Sequence, residues 1–144
     1  MRVEQSFDIA RAPEDVFDLL TDPARLAEWQ TAKTHVEQLT DGPPGLGTRV
    51  RETTRQPGGR EFHQIVEFTK FERPRLVRVH IVEGPYPVDG EWALEPQDGG
   101  TRVHFTAAGE VTGAARLMQP LVRRMVARQF AGYHENLRRL LESA

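Results

Sequence analysis

The sequence has 144 residues, with 19 lysines and arginines against 21 aspartates and glutamates, a formal net charge of -2 and no cysteine. The length suits a single domain, 1–144, that can bury a core. The charge excludes a generally basic nucleic-acid binder, and the lack of cysteine excludes disulfides and thiolate chemistry. The first residues lack the apolar segment of a secretory signal, and no apolar run approaches the roughly 20 residues that cross a bilayer. We expect a cytoplasmic protein that binds no nucleic acid and has no membrane span.

The first elements along the chain are a strand and two short helices. The segment Arg2–Ile9 alternates between apolar and polar residues, which predicts a half-buried strand. Pro13 then fits the first turn of a helix, where its missing N–H costs nothing. Asp22 is a candidate N-cap for a second short helix that ends near Trp29. Helices of this length are marginal alone, so we expect them to be held by packing.

Period-two patterns then predict six further strands. Turn-forming residues separate them, which favours hairpins and an antiparallel meander. The predicted strands are Thr34 to Leu39, Thr48 to Gln56, Arg60 to Phe71, Arg75 to Glu83, Val88 to Glu95 and Thr101 to Glu110.

From about Gly113 the apolar period becomes helical. Pro120 falls inside this pattern, so it either kinks the helix or separates a lead-in turn from the main helix. We predict one apolar stripe on this helix, formed by Leu117, Leu121, Val122, Met125, Val126, Phe130, Tyr133, Leu137, Leu140 and Leu141. A stripe of this length predicts that the helix covers one face of the sheet, which gives an α+β fold.

This order of elements resembles the helix-grip fold of the START-like, or Bet v 1-like (SRPBCC), superfamily. The stretches that carry the resemblance are "APEDVFDLLTDPARLAEW", "GLGTRVRE", "FERPRLV" and "WALEPQDGGTRVHF", and they are similar to bacterial members of the polyketide cyclase/dehydrase type. The resemblance implies a seven-stranded curved antiparallel sheet wrapped around a long C-terminal helix, with two short helices between strands 1 and 2. It also implies a cavity between sheet and helix for an apolar or amphipathic ligand, such as a lipid, a quinone or a polyketide-like molecule.

The more apolar side of each strand is predicted to face this cavity. Glu52 and Gln64 are polar residues on that side, so they are candidates for orienting a ligand, with Glu52 as a general acid or base. Alternatively, Glu52 lies in a wet mouth, or a bulge reverses the pattern. The candidate cavity residues are Trp29, Glu52, Gln64, Val66, Val79, Tyr86, Trp92, Phe105, Val126, Phe130 and Tyr133.

The aromatic candidates each keep two interpretations. Trp29 and Trp92 line the pocket or pack in the core or at its rim. Tyr86, in a two-proline loop, gates an entrance or lies on the surface. Tyr133 is a core residue with a local hydrogen bond or a donor to the ligand.

The sequence offers no metal, cofactor or nucleophile motif. The histidines lack metal-ligand spacing, and exposure to solvent explains them better than a metal site does. They are His35, His63, His80, His104 and His134. We expect no cofactor, and no catalytic residue is assigned.

The segment from Gly113 carries six arginines and two glutamates, a charge of +4. It is either a solvated helix face or a site for an acidic partner, RNA or an anionic membrane surface. Three functions therefore stay open: binding of a hydrophobic small molecule, a polyketide cyclase or dehydratase, and an interaction module that regulates a partner protein. We expect a monomer or a weak homodimer.

Overall fold

The main element of the fold is a seven-stranded antiparallel sheet. The structure is a computed structural model that describes residues 1–110 and 112–144. The spatial order of the sheet is β1-β7-β6-β5-β4-β3-β2, so each strand from β2 to β6 pairs with the next strand along the chain, and β1 pairs with β7. The predicted strand boundaries hold within two residues. The strands are β1 (Arg2–Ile9), β2 (Lys33–Gln38), β3 (Arg49–Arg55), β4 (Glu61–Glu72), β5 (Leu76–Glu83), β6 (Val88–Gln97) and β7 (Gly100–Gly109).

Two short helical pieces lie between β1 and β2, as predicted. They are α1 (Pro13–Leu20), and a 3-10 turn (Pro23–Arg25) that continues into α2 (Leu26–Trp29). The carboxylate of Asp22 accepts a hydrogen bond from the Ala24 backbone N–H at 3.0 Å, which confirms the predicted cap. The large apolar residues of both helices, such as Phe17 and Trp29, are buried, so packing holds these short pieces in place.

The C-terminal helix α3 (Gln119–Glu142) lies across the inner face of the sheet and completes the helix-grip fold. A 3-10 segment (Gly113–Met118) precedes it, and Pro120 occupies its first turn. Pro120 therefore separates a lead-in from the main helix, the second of the two predicted alternatives, since a proline at this position costs no hydrogen bond.

The predicted apolar stripe is wrong over the first turns of α3. Leu117, Leu121 and Met125 are exposed, whereas Val122 and Val126 are half-buried. Successive helical residues are separated by about 100°, so turning Val122 and Val126 inward leaves Leu121 and Met125 on the outer side. The preceding 3-10 segment has about three residues per turn in place of 3.6, so Leu117 does not continue the apolar stripe of α3.

Burial is uneven between the two ends of the sheet. Near α1 and the end of α3 the inner residues are fully buried, for example Phe17, Val103 and Leu137. At the opposite end, inner residues such as Phe62 and Ile81 are only half-buried. We call this second end, where β3 and β5 end and β4, β6 and α3 begin, the open end.

Candidate functional site

A buried ion pair lies on the inner face near the open end. The Lys33 ammonium on β2 is 3.1 Å from Oε1 of Glu52 on β3, and both side chains are more than nine-tenths buried. Gln64 on β4 donates from Nε2 to the same oxygen at 2.9 Å, and Lys33 also donates to Thr54 Oγ1 at 2.9 Å. Glu52 and Gln64 therefore face inward as predicted. Glu52 is shielded from solvent, and Lys33 neutralises its charge. We call Lys33, Glu52, Gln64 and Thr54 the polar cluster.

Lys33 was missed by the sequence analysis because of a local irregularity in β2. The pairing of β2 with β3 shifts between Lys33 and His35, so that Lys33 stands opposite Thr54 and Val36 opposite Glu52. A bulge of this kind places two residues of odd spacing on one face. Period-two reading therefore gives no consistent side for this strand.

Two buried polar atoms without a hydrogen-bond partner lie on α2 and α3. Within the described chain these are the indole Nε1 of Trp29 and the hydroxyl of Tyr133. Burial raises the pKa of Tyr133 to about 12, and the negative charge of Glu52 acts in the same direction. The Ala32 backbone lies near the hydroxyl and opposes this rise, although it does not reach hydrogen-bonding geometry. Tyr133 therefore keeps its proton, and both groups are available as donors.

A second buried network crosses from β6 through α3 to β1. Trp92 donates from Nε1 to Nε2 of His134 at 3.1 Å, so the His134 proton lies on Nδ1, which donates to Oε1 of Gln5 at 2.9 Å. Gln5 then donates from Nε2 to the carbonyl oxygen of Ala127 at 2.6 Å. Burial lowers the pKa of His134 to about 3, so the imidazole is neutral at physiological pH.

The prediction of exposed histidines is therefore wrong for His134, whereas His35, His63, His80 and His104 are exposed. Its position was readable from the sequence. Phe130, His134, Leu137 and Leu141 follow one another at spacings of four and three residues, the repeat of a buried helical face.

The other candidate residues divide between the core and the open end. Phe105 is buried and stacks on Phe130 with ring centroids 4.7 Å apart. Tyr86 is exposed at the open end, where its ring meets Phe62 edge to face, and its hydroxyl accepts a hydrogen bond from Gln56 at 3.0 Å. Among the aliphatic candidates, Val66 is buried, while Val79 and Val126 are half-buried.

Two depressions on the outer surface involve none of these candidates. One, of about 420 Å³, lies between the β6–β7 hairpin and the end of α3 and includes Asp8 and Arg138. The other, of about 260 Å³, lies between α1 and the end of α3. In residues 1–110 and 112–144, no group of three or more histidine, aspartate or glutamate side chains is placed to hold a metal ion. No helix of this part of the chain has the length and apolar character needed to cross a membrane.

Comparison with known proteins identifies a family for this chain. The family described as polyketide cyclase / dehydrase and lipid transport matches residues 1–142. The chain belongs to this family. Membership supports, in general terms, the binding of hydrophobic small molecules by proteins of this family. None of the curated proteins compared matches the chain.

Several solved structures share the fold of this family member. TTHA0849 from Thermus thermophilus superposes with a TM-score of 0.85 at 22% identity, covering 99% of this chain and 98% of that one. A START superfamily protein from Mycobacterium smegmatis gives 0.81 at 14% identity, covering 99% and 97%. The di-domain aromatase/cyclase StfQ from the steffimycin biosynthetic pathway gives 0.84 at 13% identity, covering 99% of this chain and 51% of that one. At these identities the likeness concerns the fold alone.

Proposed function

We propose that this protein binds an apolar small molecule that carries oxygen groups at one end, such as a lipid, a quinone or a polyketide-like compound. The oxygen-bearing end would meet the polar cluster, and the apolar part would extend between the sheet and α3 toward the open end. The polar cluster, Trp29 and Tyr133 would fix the orientation of the ligand.

The observation that carries this proposal is the pair of unpartnered donors, Trp29 Nε1 and the Tyr133 hydroxyl. A buried polar group without a partner costs about 1–3 kcal/mol, so a fold that keeps two of them needs a reason. An acceptor oxygen of a ligand would satisfy them. The ion pair from Lys33 and the hydrogen bond from Gln64 both converge on Oε1 of Glu52. Among the contacts of the described residues, its Oε2 is therefore the acceptor left for a ligand hydroxyl.

The half-buried residues of the open end support the apolar half of the proposal. Phe62 and Ile81 on the sheet and Val122 on α3 face inward without joining the packed core. Contact between these apolar side chains and water is unfavourable, and a ligand that covers them would remove that contact and be stabilised in turn. A mostly apolar site with a few polar anchors is the usual form of a small-molecule site.

The test compares the two tyrosines of the chain. Native mass spectrometry of the protein from a bacterial host, followed by denaturing extraction, identifies the ligand. Tyr133→Phe removes an unpartnered hydroxyl, so the free energy of unfolding of the ligand-free protein should be unchanged or higher by up to about 1 kcal/mol. The thermal stabilisation by the extracted ligand should nevertheless fall. Tyr86→Phe is the matched control and should leave both unchanged. Equal binding by Tyr133→Phe and the wild type would overturn the proposed orientation.

A cyclase or dehydratase is the second candidate, favoured by two groups that could move a proton. One is Oε2 of Glu52, which makes no hydrogen bond among the described residues. The other is the protonated hydroxyl of Tyr133, whose pKa the charge of Glu52 raises. There the site would fold a polyketide-like substrate, and much of the rate would come from positioning. Glu52→Gln should then bind the substrate nearly as well as the wild type but fail to convert it. Release of the substrate unchanged by the wild type would leave binding alone as the function.

A further inference from the structure

An exposed apolar ridge marks the start of α3. In the described part of the chain seven large apolar side chains are exposed, and four of them fall within nine residues: Leu117 (86% exposed), Met118 (50%), Leu121 (49%) and Met125 (56%). Single exposed apolar residues need no explanation, but four together form a patch. We call these four residues the apolar ridge.

Four arginines are interleaved with the apolar ridge. Arg116, Arg123, Arg124 and Arg128 are all exposed, and the sequence has no acidic residue between Glu110 and Glu135. The ion pairs found in the described part of the chain use other arginines, such as Arg102 with Asp8 and Arg138 with Glu135. The four charges are therefore not neutralised by nearby carboxylates.

The spacing places apolar and positive groups on one outward face of α3. Leu121 and Met125 are four residues apart, as are Arg124 and Arg128, and each of these two arginines follows a ridge residue by three positions. Residues three and four apart are neighbours on a helix surface. The outward face thus alternates long flexible apolar side chains with cations. Burial of apolar area and attraction of cations to anionic lipids are the two contributions that hold a helix on a membrane surface.

The apolar ridge lies at the open end of the sheet. The β3–β4 hairpin reaches the same end and carries the exposed Arg55 and Arg60. Tyr86 projects from the neighbouring β5–β6 loop. A flat surface that contacts the ridge would therefore face the open end, toward which the apolar part of the ligand is proposed to extend.

We propose that the segment Gly113–Arg128 docks on an anionic lipid bilayer, with the apolar ridge in the interface and the arginines at the lipid headgroups. Charge complementarity decides between occupants. A symmetric second copy would bring the same patch against itself and place the uncompensated arginines face to face. An RNA partner would use the arginines but leave the four apolar side chains uncovered. Docking would also bring a bound ligand close to the bilayer, where it could be exchanged, and that further role rests on the proposed function. Docking itself rests on this surface alone.

The test is co-sedimentation with vesicles of phosphatidylcholine alone or with about 30 mol% phosphatidylglycerol. We expect the wild type to sediment with the anionic vesicles and at least about tenfold less with the neutral ones. The double variants Leu121→Ser with Met125→Ser, and Arg124→Glu with Arg128→Glu, should each lower binding about tenfold. All four side chains are exposed, so the fold should persist, which circular dichroism checks.

Matched controls lie at the opposite end of the sheet. Leu46→Ser and Arg75→Glu remove an exposed apolar side chain and reverse an exposed charge there. Both should bind anionic vesicles like the wild type. Loss of binding in these controls, no binding of the wild type to anionic vesicles, or binding to RNA in place of vesicles would overturn the proposal.

The same variants separate this proposal from the proposed function. Tyr133→Phe should bind vesicles like the wild type, and Leu121→Ser with Met125→Ser should bind the extracted ligand in solution like the wild type. Ligand binding without vesicle binding would remove the docking proposal alone. Vesicle binding without any ligand would remove the proposed function alone.

Discussion

His134 is buried in its neutral form and couples the stability of the protein to pH. Its pKa is lowered to about 3 in the folded state, whereas an unfolded histidine takes up a proton near 6.5. Between these values the unfolded state binds more protons, so this contribution is complete above pH 6.5 and is lost as the pH falls toward 3. The free energy of unfolding should fall by up to about 1.4 kcal/mol per pH unit in this window.

Urea unfolding between about pH 4.5 and 7.5 measures this slope, since carboxylates titrate mostly below that range. His134→Gln provides the comparison, because its amide can still accept from Trp92 and donate to Gln5 without titrating. The variant should lose most of the slope. Parallel pH profiles for the two proteins would contradict a neutral, buried imidazole.

The Lys33–Glu52 pair should show strong coupling. Lys33→Met leaves a buried carboxylate without its cation and should lower the free energy of unfolding by about 3 kcal/mol. Adding Glu52→Gln removes that charge and keeps an acceptor for Gln64, so the double variant should recover much of the loss. Urea denaturation of the two single variants and the double variant measures the coupling free energy. Additive losses would show that the two charges do not interact.

Which of these residues the sequence could reveal depended on the regularity of the surrounding element. Glu52 and Gln64 stand on regular strands, so alternation placed them inward. Gln5 stands on the buried side of β1 and partners His134, but a polar residue there has no visible reason until the helix is in place. Lys33 was hidden by the bulge in β2. The pattern of residues along one element does not show which residues of distant elements it will contact.

The two halves of α3 should differ in local stability. Around Tyr133, Leu137 and Leu141 the helix is buried against the sheet, whereas its first turns expose Leu121 and Met125. Local opening is easiest where few apolar contacts would be lost. Amide hydrogens of residues 123–128 should therefore exchange at least about tenfold faster than those of residues 134–141, measured by NMR. Uniform protection along α3 would show that the first turns are held as firmly as the rest.

Among whole elements, those bounded by turn residues and prolines were predicted well. The strand limits, the helix start at Pro13 and the break before Pro120 follow from residues with fixed backbone preferences. The inner side of the first turns of α3 was not predictable in this way. Leucine and methionine look alike whether they face a core or a partner, and only the position of the sheet distinguishes the two.

The charge of the molecule is distributed unevenly, with a positive C-terminal segment and a negative remainder. The segment from Gly113 carries +4 in a chain of net charge -2, so the remaining residues carry -6. A molecule with this net charge is repelled weakly by an anionic surface unless it presents its positive end. The positive end also carries the apolar ridge and is the open end of the sheet. An electrostatically oriented encounter would therefore also turn the open end toward the bilayer.

This orientation predicts how ligand exchange depends on salt and lipid. The rate of transfer of the ligand from protein to vesicle should rise with the anionic lipid content. It should fall as the screening length shrinks from about 10 Å at 0.1 M salt to about 3 Å at 1 M. Affinity for the ligand in solution should change little, because the polar cluster is buried away from the salt. Stopped-flow transfer to anionic vesicles measures the rate, with Arg124→Glu and Arg128→Glu combined as the comparison. That variant should transfer slowly at both salt concentrations, whereas a wild-type rate that ignores salt would mean that release occurs in water before any contact with the bilayer.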